Sequence, residues 1–402
     1  MEIPPWLWFR WRSITAVLLA DRPAVEHQRR DHVASRAIRL LAILVLGGIA
    51  LAPRAPDGRA QARSAAAGHR AATVPFTVLA RGLDHPKGLA FSASGDLYIA
   101  ESGHSDGTCT FAQKPAAITS AATSGAVAKI ASDGTVTRVL TRLRSVCDGS
   151  DFIGPSGLAF VGRDLYVAQG QSLCDVGQPP SSCLISAPLL RVRPNGRVTQ
   201  VALFVSHGNA PNFPNAHEDP FGMARGPDGN LYVSDGGNNT IWKVRAGSDA
   251  LRLVDRSIAH FPHDPTVTGL AFGKDGSLYV AVFSAFPFAS RAGWVARVTA
   301  DGRIQKSLTG LTVPIGVAFS PAGTMYVLQY ASGFTLQPFP HFVPGSGAVW
   351  RRTGSSLEQV VAGLNFPTAM AFGPDGKLYI TNNATGTKPE AEGEVVTADV
   401  GS

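Results

Sequence analysis

Six times along the chain an apolar segment with a small residue near its centre is followed by a polar turn and then by a second apolar segment containing Tyr. The first segments read HPKGLAF (85–91), GPSGLAF (154–160), DPFGMAR (219–225), TVTGLAF (266–272), VPIGVAF (313–319) and FPTAMAF (366–372). The second read LYIAE (97–101), LYVAQ (165–169), LYVSD (231–235), LYVAV (278–282), MYVLQ (325–329) and LYITN (378–382). Their β-branched and aromatic content predicts strands. The Asp-Gly pairs of GPDG (226–229), GKDG (273–276) and GPDG (373–376) predict tight hairpins between them, because Gly accepts a positive φ. A third strand follows as AVAKI, LLRV, IWKV, VARV and VWRR, and a fourth as TVTRVL, RVTQVAL, IQKSL and LEQVV.

Four antiparallel strands repeated six times predict an all-β, six-bladed β-propeller, in which apolar faces are buried between neighbouring blades. Trp242, Trp294 and Trp350, at comparable points of third strands, are expected in that inter-blade core. The last copy ends after a third strand, GEVVTADV (393–400), while PFTVLARGL (75–83) resembles the fourth strands of other copies. The N-terminal strand is therefore expected to complete the last blade, closing the ring and removing two open sheet edges. Counted at Gly88, Gly157, Gly222, Gly269, Gly316 and Ala369, the copies are spaced 69, 65, 47, 47 and 53 residues apart, so the first two blades carry insertions. Strand direction puts the segments that leave a Tyr strand and those that enter a first strand on one face, here called the top.

The 43 Gly and 28 Pro suit many short strands and turns. The formal charge of +7 is concentrated early, where residues 1–62 hold nine Arg against five acidic residues, so a general nucleic-acid-binding surface is not indicated. Arg36 and Arg39 precede an apolar run over 40–52, and Ala60-Gln61-Ala62 offers small residues at signal-peptidase spacing. Residues 1–62 are read as a signal peptide with an extension of unassigned start, 63–72 as a linker and 73–400 as a single propeller domain, secreted or periplasmic. The apolar run is 13 residues, short of the ~20 that a spanning helix needs, and no transmembrane span is expected after cleavage. Cys109, Cys147, Cys174 and Cys183 fall in the exported part, and disulfides Cys109–Cys147 and Cys174–Cys183 are the favoured pairing among three. A monomer is expected.

Candidate chemistry gathers on top. Three residues beyond the recurring Tyr stand Glu101, Gln169, Asp235, Val282, Gln329 and Asn382, a polar ring around the axis. Oxygen donors of this kind suit a hard cation such as calcium, with Glu101, Asp235 and Asn382 as metal ligands. The alternative is that they hydrogen-bond neighbouring loops. His85, Lys87 and Asp219 stand at entrances of first strands and, with Glu101, Gln169, Asp235, Gln329 and Asn382, make up the expected ligand-binding set; His217 and His263 precede entrances of their own. General acid–base work would fall to His85 or Glu101. No Gly-x-Ser-x-Gly elbow, His-Glu-x-x-His or P-loop occurs. Two top loops, FSAFPFAS (283–290) and FTLQPFPHFVPG (334–345), are rich in aromatics and Pro, and either contact a partner or pack on one another.

GLDHPKGLAFSASGDLYIAESG, EDPFGMARGPDGNLYVSDGGNNTIWKV and YVAVFSAFPFASRAGWVARV together resemble the ScyD/ScyE family of exported bacterial propellers, over roughly residues 73 to 400. More distantly, the repeats are similar to those of NHL, gluconolactonase-like and quinone-dependent sugar dehydrogenase propellers. The resemblance implies a periplasmic or extracellular protein and transfers no catalytic residue. A gluconolactonase-like protein implies an acidic residue inside an early Leu-Gly-Glu-x-Pro-x-Trp-type stretch and an Asn-Asp-Gly segment, where the early stretch of this chain reads His85-Pro86-Lys87-Gly88. A quinone enzyme implies a His and basic groups at the tunnel, for which His85 and Lys87 are the candidates. The resulting expectation is a propeller that binds a small molecule or an envelope or extracellular protein through its top face. The alternatives are a calcium-dependent, lactonase-like hydrolase and a quinone-dependent oxidoreductase.

Overall fold

The computed structural model describes residues 73–104, 122–147, 152–170, 187–204, 218–250, 252–254, 257–261, 266–337, 341–385 and 392–401. The expected presequence and linker, His217, His263, and the cysteines Cys109, Cys174 and Cys183 lie outside them. Cys147 ends a strand whose last side chains are likewise not described.

All regular elements among the described residues are strands, arranged as six antiparallel blades around an axis. Blade 1 runs Pro86–Phe91, Leu97–Glu101, Ala122–Ile130 and Val136–Cys147. Blade 2 comprises Pro155–Val161, Asp164–Gln169, Ala187–Val192 and Val198–Phe204, to which Arg252–Val254 adds in parallel. Blade 3 has Pro220–Arg225, Leu231–Asp235, Thr240–Val244 and Ser257–His260, and blade 4 has Thr266–Phe272, Leu278–Phe283, Gly293–Val298 and Ile304–Leu311. Blade 5 is made of Pro314–Phe319, Met325–Gln329, Gly347–Thr353 and Ser356–Leu364. Blade 6 takes Ala369–Phe372, Leu378–Asn382 and Gly393–Ala398 from the end of the chain and Phe76–Leu83 from its beginning. The closing register runs antiparallel from Phe76 opposite Ala398 to Leu83 opposite Gly393. That strand supplies the edge bonds that the last blade would otherwise leave open.

The recurring glycines have a packing cause. First strands are innermost, and their backbones meet at the axis: a Cβ on Gly222 would lie 3.0 Å from the Gly269 Cα, and one on Gly269 would lie 2.8 Å from the Gly316 Cα. At the junction that closes the circle, where Ala369 replaces Gly, hydroxyls do the bridging. Thr368 Oγ1 donates to the Pro86 carbonyl at 2.9 Å, and Thr381 Oγ1 to that of Lys87 at 3.0 Å.

The recurring Tyr serves the opposite, lower face. In three blades its hydroxyl donates to the Asp of the preceding turn: Tyr232 to Asp228, Tyr279 to Asp275 and Tyr379 to Asp375. The ring also meets the Phe that ends the first strand of an adjoining blade, edge to face, as in Tyr232–Phe272 at 4.9 Å. Trp242 and Trp294 are buried and pack against residues of the preceding blade, Phe204 and Phe261 among them. Trp350 is half-buried against the apolar cluster of blades 4 and 5.

Candidate functional site

The polar ring at the ends of the second strands is buried and locally engaged. Where the chain crosses into a blade, the backbone N–H just before the first strand has no ladder partner. The ring residues accept it: Asp84 N–H donates to Glu101 at 2.8 Å, Asp219 to Asp235 at 3.0 Å, Thr312 to Gln329 at 3.1 Å and Asn365 to Asn382 at 2.7 Å. Gln169 instead donates to the Arg144 carbonyl at 2.8 Å, and Asn382 donates onward to Glu394 at 2.7 Å. Asp235 further receives the backbone N–H of Gly237 and Asn238, the Asn238 amide and the Trp242 indole N–H. Each oxygen thus fastens an inter-blade connection. Burial pushes the Asp235 carboxyl above its ordinary value against these bonds.

These residues do not fit the expected calcium centre. Glu101 is clasped by Arg138, with Nε on Oε2 at 2.9 Å and Nη2 on Oε1 at 2.8 Å, a cation where a second cation would have to bind. Among the described residues no group of three His, Cys, Asp or Glu is gathered as a metal would require. Burial raises the Glu101 pKa, opposed by Arg138 and by the Asp84 N–H.

Chemistry concentrates instead around Asp84, which sequence reasoning missed. Its carboxylate takes His85 Nδ1 on Oδ1 at 2.9 Å and His104 Nδ1 on Oδ2. Burial works to raise the Asp84 pKa, but the bonds from His85 and His104 outweigh it, and the carboxyl sits below its ordinary value. An ionised carboxylate only accepts, so both imidazoles must carry their proton on Nδ1. Nε2 of each ring is then the basic nitrogen, or the second N–H if the ring is charged.

Backbone geometry assembles this trio. His85 precedes Pro86 and has φ 50°, a left-handed turn shared with Phe366 before Pro367 at the entrance of blade 6, φ 47°, but not with Gly154, Asp219 or Val313 before the prolines of blades 2, 3 and 5. Gly103 N–H donates to the Asp84 carbonyl and Ser102 N–H to that of His85, which brings the segment after the second strand alongside the entrance. Ser124 Oγ then accepts the His104 N–H at 2.8 Å and donates to the His104 carbonyl. His85 is 6% exposed and lies 4.4 Å from the Phe152 ring, whereas the His104 side chain is 41% exposed. His104 is therefore the imidazole a ligand reaches, and His85 the buried one behind it. A signal was present in the sequence: Asp-His (84–85) at an entrance and a further His three residues beyond Glu101. Only a fold that brings Gly103 beside Asp84 joins them.

Lys87 is also buried, its Nζ donating to the Ala384 carbonyl at 3.3 Å. With His85 held by Asp84 and Lys87 turned to blade 6, the two groups named for a quinone are both engaged. The apolar top loops pack on one another: Phe288 meets Phe283, Phe286, Phe334 and Phe342 at centroid distances of 5.6, 5.9, 5.0 and 4.8 Å.

No protein-family model matches the chain, and no curated protein sequence does. Solved structures of similar shape are propellers. A Thermus thermophilus protein, described as an inferred oxidoreductase (glucose dehydrogenase), aligns at TM-score 0.51 and 17% identity, covering 81% of this chain and 100% of that one. The PQQ-bound aldose sugar dehydrogenase of Streptomyces coelicolor aligns at 0.45 and 13%, over 81% and 98%. The virginiamycin B lyase of Staphylococcus aureus aligns at 0.43 and 11%, over 81% and 99%. At 17% identity the likeness to the Thermus thermophilus protein bears on the fold and on nothing finer.

Proposed function

We propose that this chain is an exported propeller enzyme that performs general acid–base chemistry on a small polar substrate at the top of blade 1. His104 is its working acid–base, Asp84 the orienting carboxylate and His85 a second imidazole that shares that carboxylate. The observation that carries the reading is the Asp84 carboxylate bonded to both imidazoles, one buried and one open to solvent. A carboxylate on Nδ1 fixes the tautomer that presents Nε2 as a base and stabilises the imidazolium once it forms. In a hydrolysis, His104 Nε2 would take a proton from the water that attacks a carbonyl carbon and return it to the leaving oxygen. Export rests on Arg36, Arg39 and the apolar run that follows them.

Lactone hydrolysis is the reaction class to test first, since it needs a base and a water but no covalent nucleophile. Proton release from glucono-δ-lactone and galactono-γ-lactone is followed with a pH indicator, with spontaneous hydrolysis subtracted. His104→Gln should lower kcat at least ~100-fold while leaving the circular dichroism spectrum unchanged. A His104→Gln variant with the wild-type rate would refute the assignment. If neither lactone turns over but either binds wild type and not His104→Gln, a noncatalytic binding role remains.

A further inference from the structure

Third strands begin under a common constraint. In blades 1, 4, 5 and 6 a Gly stands just before the residue paired with the ring position, and it lies under the proline at the next blade's entrance. A Cβ on Gly125, Gly293, Gly347 or Gly393 would fall 2.7, 2.2, 2.7 or 2.3 Å from the Cδ of Pro155, Pro314, Pro367 or Pro86. The residue before that Gly differs: Ser124 in blade 1, Ala292 in blade 4, Ser346 in blade 5 and Glu392 in blade 6. In both blades that carry Ser, its hydroxyl catches the chain leaving the second strand. Ser346 Oγ accepts the N–H of Ser332 at 2.9 Å, three residues beyond Gln329. Ser124 Oγ accepts the N–H of His104 at 2.8 Å, three residues beyond Glu101.

The two copies part at the donor end. Ser346 gives its proton to the Val343 carbonyl at 2.6 Å, whereas Ser124 gives its proton to the carbonyl of His104 itself. One hydroxyl therefore takes both backbone polar groups of His104, beyond the point where pairing between the second and third strands ends at Glu101 and Ala126. Gly103 allows the approach: its φ is 79°, and a Cβ there would lie 2.5 Å from both the Ser124 Oγ and the Gly125 N. A buried imidazole is held by packing. That of His104 is 41% exposed, so its direction rests on two hydrogen-bonded anchors, Asp84 at Nδ1 and Ser124 at the backbone. Small displacements of a proton-transfer group are costly.

We propose that Ser124 is the positioning residue of His104, a backbone catch of the fold that in blade 1 aims an imidazole. This rests on His104 being the acid–base of the function proposed above. Long-range 1H–15N spectra of the full chain, which need no substrate, are compared with kcat and KM on glucono-δ-lactone for wild type, Ser124→Ala, Ser124→Thr and Ser346→Ala. The His104 signal is assigned from its absence in His104→Gln. Ala292 fills the equivalent place in blade 4, so Ser124→Ala should fold. It should weaken the His104 Nδ1–H signal at least about twofold and lower kcat about fivefold to tenfold, with KM within about twofold of wild type. Ser124→Thr keeps the hydroxyl and should match wild type in both readouts, as should Ser346→Ala, which loses the corresponding bond in blade 5. If neither lactone turns over, the activity proposed above fails while the spectra still decide the role of Ser124. The proposal is overturned if the His104 ring signal of Ser124→Ala equals that of wild type, if Ser346→Ala perturbs it equally, or if Ser124→Thr loses as much as Ser124→Ala.

Discussion

Replacing Asp84 by Asn tests the central geometry most directly. The carboxylate accepts two Nδ1–H bonds, one from His85 inside the protein and one from His104 at its surface. An amide at the same place keeps one acceptor oxygen and turns an NH2 toward the other imidazole, which must then move its proton to Nε2. A bond to a charged group is worth ~1.5–3 kcal/mol when buried. The His85 bond should contribute at that level and the His104 bond less, because water reaches its ring, so Asp84→Asn should lose about 2–4 kcal/mol in urea unfolding at pH 7. The sign of the pH dependence follows from the lowered Asp84 pKa. Its stabilisation is complete above the ordinary value of 3.8 and is lost as pH falls through the lower folded value. The difference between wild type and variant should therefore shrink as pH falls below 3.8. Long-range 1H–15N spectra of the imidazoles should report one ring changed from Nδ1–H to Nε2–H. A loss below about 0.5 kcal/mol together with unchanged imidazole spectra would show that Asp84 does not orient the pair.

Other expectations follow from the same contacts. Asp235→Asn sets an amide NH2 against the indole and amide donors that now converge on the carboxylate, and should cost ~2–4 kcal/mol in the same assay; a loss under 0.5 would show that the connection is not held there. Because burial holds the Glu101 pKa above its ordinary 4.5, that group favours the native state increasingly as pH falls from neutral toward 4.5, and the matching slope should vanish in Glu101→Gln. Gly269→Ala drives a methyl into the Gly316 backbone and should cost about 1–3 kcal/mol, whereas Gly229→Ala, with nothing within 4 Å but φ 78°, should suffer from backbone strain alone. Deleting residues 75–83 uncovers the Gly393–Ala398 edge and the buried Val395 and Val396, and should yield aggregated protein by size-exclusion chromatography; a soluble monomer with native circular dichroism would refute the role of the closing strand.

The architecture was legible in the chain because a propeller repeats one local rule. Alternating strands, Asp-Gly turns and a recurrent Tyr are written at fixed offsets, and the odd strand at each end identifies its complement by likeness. Much of the chemistry was not legible, for two physical reasons. Side chains at equivalent repeat positions share a location without sharing a direction, so Glu101, Asp235, Gln329 and Asn382 read as a ring, whereas each accepts the backbone N–H entering its blade. Asp84, His85 and His104 belong to segments on either side of a hairpin, and only the pairing of Gly103 with Asp84 makes them neighbours. Periodicity along the sequence records which backbone groups pair; which side chains face one another depends on how loops from separate repeats cross, and that is set by packing in three dimensions.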